Sequence, residues 1–260
     1  MATTRTRRAG SALLCLAAAV LLAGPVQAIT YGTPTGADYG NVAGLVGVSP
    51  FNGELFVYCS GTLISSTVVL TAAHCGDVPF AGESVCVTFN PVFVEGRSKP
   101  YCGTFTASPY YSGSQNDPND LGVIVFDKPI RDIQPATLAT EGYLDDLRRT
   151  GQLTQETEFV SVGFGDTEFT NGPGGKTNTH PWTRMYAVGR FNALGPGYLR
   201  LTQNLATGDA GSCNGDSGGP IFLDGVLVGV ISTGDTFCRA TNVAQRVDTP
   251  EAQAFLSPYV

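Results

Sequence analysis

The apolar positions of this chain come in short runs rich in β-branched residues, separated by glycine, proline and polar turn residues. That spacing predicts an all-β fold with many turns. "GVIVFD" (residues 122–127) is apolar on both faces, as a strand buried on two sides is. "PIFLDGVLVGVIS" reads as a hairpin whose Asp224 and Gly225 suit a type I′ turn. "NGPGGK" (171–176) reads as a loop. "DTPEAQAFL" reads as a short C-terminal helix, with Asp248 or Thr249 at its cap and Pro250 and Glu251 in its first turn. If there are two β domains, their boundary is expected in the polar segment 140–157.

The first 28 residues follow another pattern. Arg5, Arg7 and Arg8 precede an unbroken apolar run of twelve residues (12–23), and Val26 and Ala28 supply small residues at a cleavage site. This is the layout of a secretion signal, and the run is too short for a permanent membrane span. Cleavage after Ala28 leaves 232 of the 260 residues, enough for a large core. It removes three of 15 basic residues, so 12 face 22 acids and the formal charge becomes -10. Nucleic acid, whose phosphates demand basic surface, is excluded as a partner. The cleavage also removes Cys15, leaving six of seven cysteines in an oxidising compartment. Three disulfides are expected, and six cysteines allow fifteen pairings.

"CNGDSGGPI" (213–221) is the most informative stretch. Ser217 sits among glycines, where backbone amides can approach a ligand closely. A serine hydroxyl needs a base within hydrogen-bond reach, and the base needs an acid to orient it. The chain has two histidines. His180 lies in the polar loop "TNTHPW" and reads as solvated; His74, in "LTAAHC", follows an apolar run and adjoins Cys75. The segment 215–219 also satisfies G-x-S-x-G, the nucleophile elbow of the α/β-hydrolases. That fold needs a histidine after the serine, and none follows Ser217; Gly218, Gly219 and Pro220 would also start a helix badly. An order of aspartate, histidine, serine leaves only Asp38 as the acid, in surroundings unlike a catalytic strand end. In the order histidine, aspartate, serine, Asp120 opens the apolar strand in "NDLGVIVF". Asp117 lies among turn residues, and Asp127 ends the strand beside Lys128.

At this point the chain resembles the trypsin/chymotrypsin-type serine proteases over essentially all of its mature length. "SGTLISSTVVLTAAHC" is similar to the family's histidine segment and "SPYYSGSQNDPNDLGVIVF" to its aspartate segment. "SVGFGDT" resembles a second-barrel strand, with Phe164 in place of the usual tryptophan, and "GDSGGP" matches the serine motif in full. The resemblance implies two six-stranded antiparallel β-barrels with the site in the cleft between them. Residues 29–145 would form the first barrel, and residues 146–260 the second barrel and the C-terminal helix. It implies a triad of His74, Asp120 and Ser217, an oxyanion hole from the amides of Gly215 and Ser217, and Ser232 in support of Asp120. It implies the disulfides Cys59–Cys75 and Cys213–Cys238 and leaves Cys86–Cys102 as the third. No cysteine lies between 102 and 213, so the family's frequent extra staple in the second barrel is missing.

The resemblance places Gly211 at the floor of the primary specificity pocket, where relatives that cleave after Lys or Arg carry an aspartate. Ser212, Asn214, Ser232, Thr233, Gly234 and Asn242 would line the rest. All are uncharged, so an uncharged P1 side chain is expected. In this family the ammonium of a freshly cut Ile or Val pairs with the aspartate before the catalytic serine. Here these are Ile29 and Asp216, and Ile29 follows the signal site directly. Signal-peptide removal would then itself activate the enzyme.

The function implied is a secreted serine endopeptidase working through an acyl-enzyme. The alternatives are an inactive protease-like binding protein, disfavoured because triad and oxyanion glycine are all present, and an esterase. No metal or organic cofactor is expected; Asp77, Glu83 and Glu95 read as solvated loop acids rather than calcium ligands. The expected partners are protein or peptide substrates and protein protease inhibitors, with no nucleic acid, no membrane after signal cleavage, and a monomeric chain.

Overall fold

The computed structural model of the chain describes residues 29–79, 81, 84–112, 118–172 and 175–260. The expected signal segment, residues 1–28, lies outside the described residues, as do Glu83 and Asp117. Six strands close the first barrel: β1 (Val42–Val48), β2 (Leu55–Ser65), β3 (Val68–Thr71), β4 (Ser84–Thr88), β5 (Tyr101–Ala107) and β6 (Gly122–Val125). Their spatial order is β1-β2-β3-β6-β5-β4, with β4 pairing back on β1. The second barrel comprises β7 (Glu158–Gly163), β8 (Met185–Leu194), β9 (Tyr198–Thr202), β10 (Pro220–Leu223), β11 (Val226–Gly234) and β12 (Thr241–Arg246). It repeats the same order, β7-β8-β9-β12-β11-β10, and β10 closes it on β7. All pairs within the two rings are antiparallel. Closure leaves neither ring with an unpaired edge. All three disulfides form as the resemblance implies: Cys59–Cys75, Cys86–Cys102 and Cys213–Cys238.

Local sequence accounts for much of this. β9 alternates: Leu199 and Leu201 fill the barrel while Arg200 faces out, the period-two pattern of a strand with one dry face. Asp224 and Gly225 both have positive φ, 49° and 81°, and join Leu223 to Val226 as a type I′ turn does. The C-terminal helix, α2 (Pro250–Leu256) once α1 below is counted, is capped by Thr249, whose hydroxyl accepts from the Ala252 amide. Asp248 is engaged elsewhere, bonded to the Arg246 guanidinium and to the Leu144 amide.

Two segments differ from expectation. Residues expected as a loop near 171–176 pair as a small hairpin, Thr170–Gly172 with Gly175–Thr177. Between the barrels the polar segment contains a helix, α1 (Tyr143–Arg149). Its acids, Asp145 and Asp146, sit in the first turn and its arginines, Arg148 and Arg149, in the last, which complements the helix dipole. Leu144 is its one buried residue, and Arg246 reaches across to Asp145 at 2.6 Å. The chain also crosses to the second barrel earlier than residue 140, because Thr137–Leu138 already pairs in parallel with the start of β11.

The barrels are joined by a strap and a bolt. The strap is the segment ahead of β1: Thr33–Pro34 pairs with β8 of the second barrel before the chain enters β1 of the first. The bolt is Arg184, just before β8 and 2% exposed. Its guanidinium donates to the Thr35 hydroxyl and to the carbonyls of Val42, Phe89, Gly36 and Asp38, at 3.0 to 3.3 Å. Burial pushes its pKa down to about 10, so it stays charged at neutral pH. No acid pairs with it among the described residues; five neutral oxygens share its charge. Arg184→Met should strand those acceptors and destabilise the fold by roughly 3 kcal/mol, lowering Tm by about 6–12 °C. Arg149→Met, on the exposed face of α1, is the matched control and should leave Tm almost unmoved.

Candidate active site

His74 lies in a single 3-10 turn, Ala73–Gly76, immediately after β3. The Cys59–Cys75 bridge ties that turn back to β2. Asp120 precedes β6, the neighbour of β3, so the barrel register brings the two side chains together. His74 Nδ1 lies 2.7 Å from Asp120 Oδ2, and the His74 amide donates to Oδ1 at 3.0 Å. The Ser232 hydroxyl donates to Oδ2 at 2.6 Å from β11 of the other barrel. Asp120 is 3% exposed. Burial pushes its carboxyl up, but the hydrogen bond and charge of His74, with the Ser232 hydroxyl and the His74 amide, hold it below the usual carboxylate range. An ionised Asp120 fixes His74 with its proton on Nδ1 and leaves Nε2 free to act as a base.

Ser217 lies on the loop that precedes β10, half-buried. Its carbonyl accepts from the Ser60 amide at 2.7 Å, which clamps the loop to β2. Among the described residues no hydrogen bond joins its hydroxyl to His74. Catalytic hydrogen bonds in unliganded enzymes are often long and tighten on substrate binding. Around Ser217 the amides divide into two sets. Those of Asp216, Gly218 and Gly219 donate to the carbonyls of Cys213, Ile231 and Asp216. Those of Gly215 and Ser217 donate to no acceptor among the described residues. Two free amides on one turn make an anion-binding concavity.

Gly215 has φ +91°, and a Cβ there would lie 2.6 Å from His180 Cε1 and 3.0 Å from the Gly165 Cα. His180, expected to be merely solvated, therefore packs directly on this loop. Its Nδ1 is 2.7 Å from Asp166 Oδ1, and its Nε2 is buried without a hydrogen-bond partner. Asp166 also accepts from Asn178 at 2.5 Å and donates its amide to the Asn214 carbonyl. "TNTHPW" carries no local signal for this, because it depends on where the excursion between β7 and β8, residues 164–184, returns.

Beside Ser217 is a cavity of about 160 Å³ that includes Ser212, Asn214, Thr233, Gly234 and the Cys213–Cys238 bridge in its walls. Asp235 and Thr236 also line it. Gly211 and Asn242, expected in the same wall, are buried next to it. Gly211 bridges to Thr30 and has Gln203 packed over its Cα, and Asn242 donates to the Ser161 hydroxyl at 3.1 Å. The Asp235 carboxylate faces its own turn. It accepts from the amides of Arg239, Ala240 and Thr241 and from Gln203. Burial raises its pKa, but these donors hold it below the usual range.

Asp216 is fully buried, and its two oxygens accept from the amides of Gly165 (2.7 Å) and Cys213 (2.8 Å). Burial pushes its pKa up to about 7; the two amides offset this only in part, and the Asp166 charge adds to it. Ile29 is also fully buried, packed with Met185, Ala187 and Ala210, and Thr30 bridges to Gly211. No hydrogen bond or ion pair joins Ile29 to Asp216 among the described residues, and in the full-length chain the Ile29 nitrogen is a peptide amide. The sulfurs of Cys59 and Cys75 lie close to His74, the one potential metal-ligand cluster among the described residues. They are bonded to each other and offer no thiolate.

The sequence profile of the family Trypsin matches residues 37–254. The chain is 32% identical to the chymotrypsin of Phaedon cochleariae over 206 residues, covering 73% of this chain and 67% of the relative. It is 30% identical to the trypsin of Simulium vittatum over 190 residues (68% and 70%). It is 29% identical to trypsin, alkaline C, of Manduca sexta over 243 residues (86% and 88%). Gly215→Ala should give a folded protein whose labelling by a fluorophosphonate, which reacts with activated serines, slows by about 10²–10³-fold. Part of that rate should return when His180→Ala removes the ring the new methyl meets; no recovery would show that His180 is not the obstacle.

Proposed function

The chain belongs to the trypsin family and is a serine endopeptidase acting on proteins, and on that premise we propose how its parts divide the work. Ser217 Oγ attacks the scissile carbonyl while His74 Nε2 takes its proton; the carbonyl electrons move onto oxygen. The free amides of Gly215 and Ser217 hold that oxyanion. Collapse expels the amine, protonated by His74, and leaves an acyl-enzyme. Water, deprotonated by His74, releases the acid product and restores Ser217. Asp120 keeps the tautomer and stabilises the imidazolium, with the Ser232 hydroxyl donating to the same carboxylate oxygen as the ring. The observation that carries this reading is the pair of unsatisfied amides flanking Asp216, on a turn where the amides of Cys213, Asp216, Gly218 and Gly219 are bonded.

The P1 side chain is uncharged in this reading. Apart from Asp235 the primary cavity is walled by neutral groups, and Asp235 is turned to four donors of its own surroundings, the amides of Arg239, Ala240 and Thr241 and the Gln203 side chain. In this reading residues 29–145 and 146–260 supply the two halves of the cleft, with Thr33–Pro34 and Thr137–Leu138 of the first half laid onto the second barrel, in a monomer exported after loss of residues 1–28. Protein protease inhibitors would bind the same cleft. Fluorophosphonate labelling of the mature protein, lost in Ser217→Ala and in His74→Ala, tests the triad. A peptide library read on the same sample tests P1: strong cleavage only after Lys or Arg would overturn the uncharged pocket.

Activation follows from Asp216. A buried carboxylate with two amides and no cation is an incomplete ion pair, and the ammonium of a chain beginning at Ile29 would complete it. The folded pKa is raised from 3.8 to about 7. In a chain extended ahead of Ile29, the stability Asp216 contributes is therefore fully present below pH about 4 and is lost as pH rises through about 7. The extended chain should lose Tm between pH 5 and 8 relative to the same chain carrying Asp216→Asn, and it should label poorly at pH 8. The chain beginning at Ile29 should label fully. Full labelling of an extended chain, its extra residue confirmed by mass, would refute the mechanism.

A further inference from the structure

A second cavity, about 390 Å³, opens on the other side of Ser232 and Thr233 from the primary one; His74, Asp120, Tyr198 and Arg200 are among its lining residues. Ser232 and Thr233 line both cavities, so a substrate whose P1 side chain fills the first lays its preceding residues along the second. Side chains of an extended chain alternate between faces, so P2 and P4 point away from the P1 pocket. The two charged walls of this cavity differ. Asp120 is buried, and both of its oxygens are taken by His74 and Ser232. Arg200 is exposed on the outward face of β9, opposite Val243 of β12.

Arg200 is also the exception among its kind. The other arginines of residues 146–260 are all engaged: Arg148 and Arg149 with acids of α1, Arg184 with five oxygens, Arg190 with Asp209, Arg239 with the Phe169 carbonyl, and Arg246 with Asp145 and Asp248. Arg200 has no hydrogen bond or ion pair among the described residues. It is the free cation of the cavity, on a protein whose overall charge is negative.

We propose that Arg200 is a specificity-determining residue that selects peptides with Asp or Glu at P2 or P4, by pairing its guanidinium with the substrate carboxylate. This rests on the endopeptidase reading above. The test uses the exported, processed enzyme and fluorogenic tetrapeptides of one fixed P1, with Glu, Gln or Lys placed in turn at P2 and P4. Glu should exceed Gln in kcat/KM by about three- to fivefold at one of these positions, the size of a partly exposed ion pair, with Lys below Gln. The preference should shrink in 0.5 M salt, where charges are screened within a few ångströms. In Arg200→Glu the Glu-to-Lys ratio should invert, and in Arg200→Gln it should fall toward one. Equal rates for Glu, Gln and Lys, a preference for Lys, or a Glu preference that survives Arg200→Glu would overturn the proposal. Fluorophosphonate labelling of the same preparation separates the two levels. Labelled enzyme without charge preference sinks only the role of Arg200, whereas unlabelled, folded enzyme sinks the endopeptidase mechanism and this role with it.

Discussion

The site depends on one buried charge, the Asp120 carboxylate. A carboxylate taken out of water is costly unless its lone pairs are filled, and Asp120 draws its donors from both barrels. His74 comes from the end of β3, one strand over in its own barrel. Ser232 comes from β11 of the other, and the Asp120 amide donates to Gln245 of β12 at 3.2 Å. Satisfying this one group therefore fixes three things together: the tautomer of His74, the depth of β11, and the approach of the two barrels along the cleft. The orientation of the base and the assembly of the domains are the same constraint.

Arg184 solves the complementary problem at the seam. It is a buried cation with no acid partner among the described residues, and it distributes its charge over four carbonyls and a hydroxyl from the strap, β1 and the end of β4. Replacing an acid by carbonyls avoids burying a second charge. It also makes the contact depend on backbone positions in both barrels at once, so the guanidinium fork acts as a gauge of their spacing. The part of the strap that it holds, residues 35–38, begins only six residues after the buried Ile29.

What was legible in the sequence was local. The Asp224 and Gly225 turn, the Thr249 and Pro250 helix start, and the two-faced apolar strand before Asp127 each need only neighbouring residues, and each forms. The resemblance added order over distance: it joined His74, Asp120 and Ser232 and chose one of the fifteen ways to pair six cysteines. The features that escaped both have no local signature. Arg184 looks like any strand-edge arginine until five distant oxygens meet it. Helix α1 is only seven residues long, with Leu144 buried and Tyr143 and Leu147 partly so, too short an apolar pattern to stand out, and Arg246 and Asp248 hold it from the second barrel. His180 and Asp166 meet across an excursion whose course the composition does not encode. Asp235 anchors its own turn through three amides that lie four to six residues further on, a role that only the folded turn reveals.

Three aspartates within this cleft show how the same side chain acquires different states from its donors alone. Asp235 is held low by backbone amides of one turn, and Asp120 by a histidine and a hydroxyl; both stay ionised with their demand met. Asp216 is the most deeply buried and has the fewest donors, two amides, with Asp166 pushing against it. Its unmet demand sits directly between the two free amides of Gly215 and Ser217. Whatever cation answers it acts on that turn, because Asp216 is itself the residue between those two amides, and its carboxylate already ties the turn to the Gly165 amide. A charge placed there is therefore coupled to those two amides by covalent geometry, without any longer pathway between them.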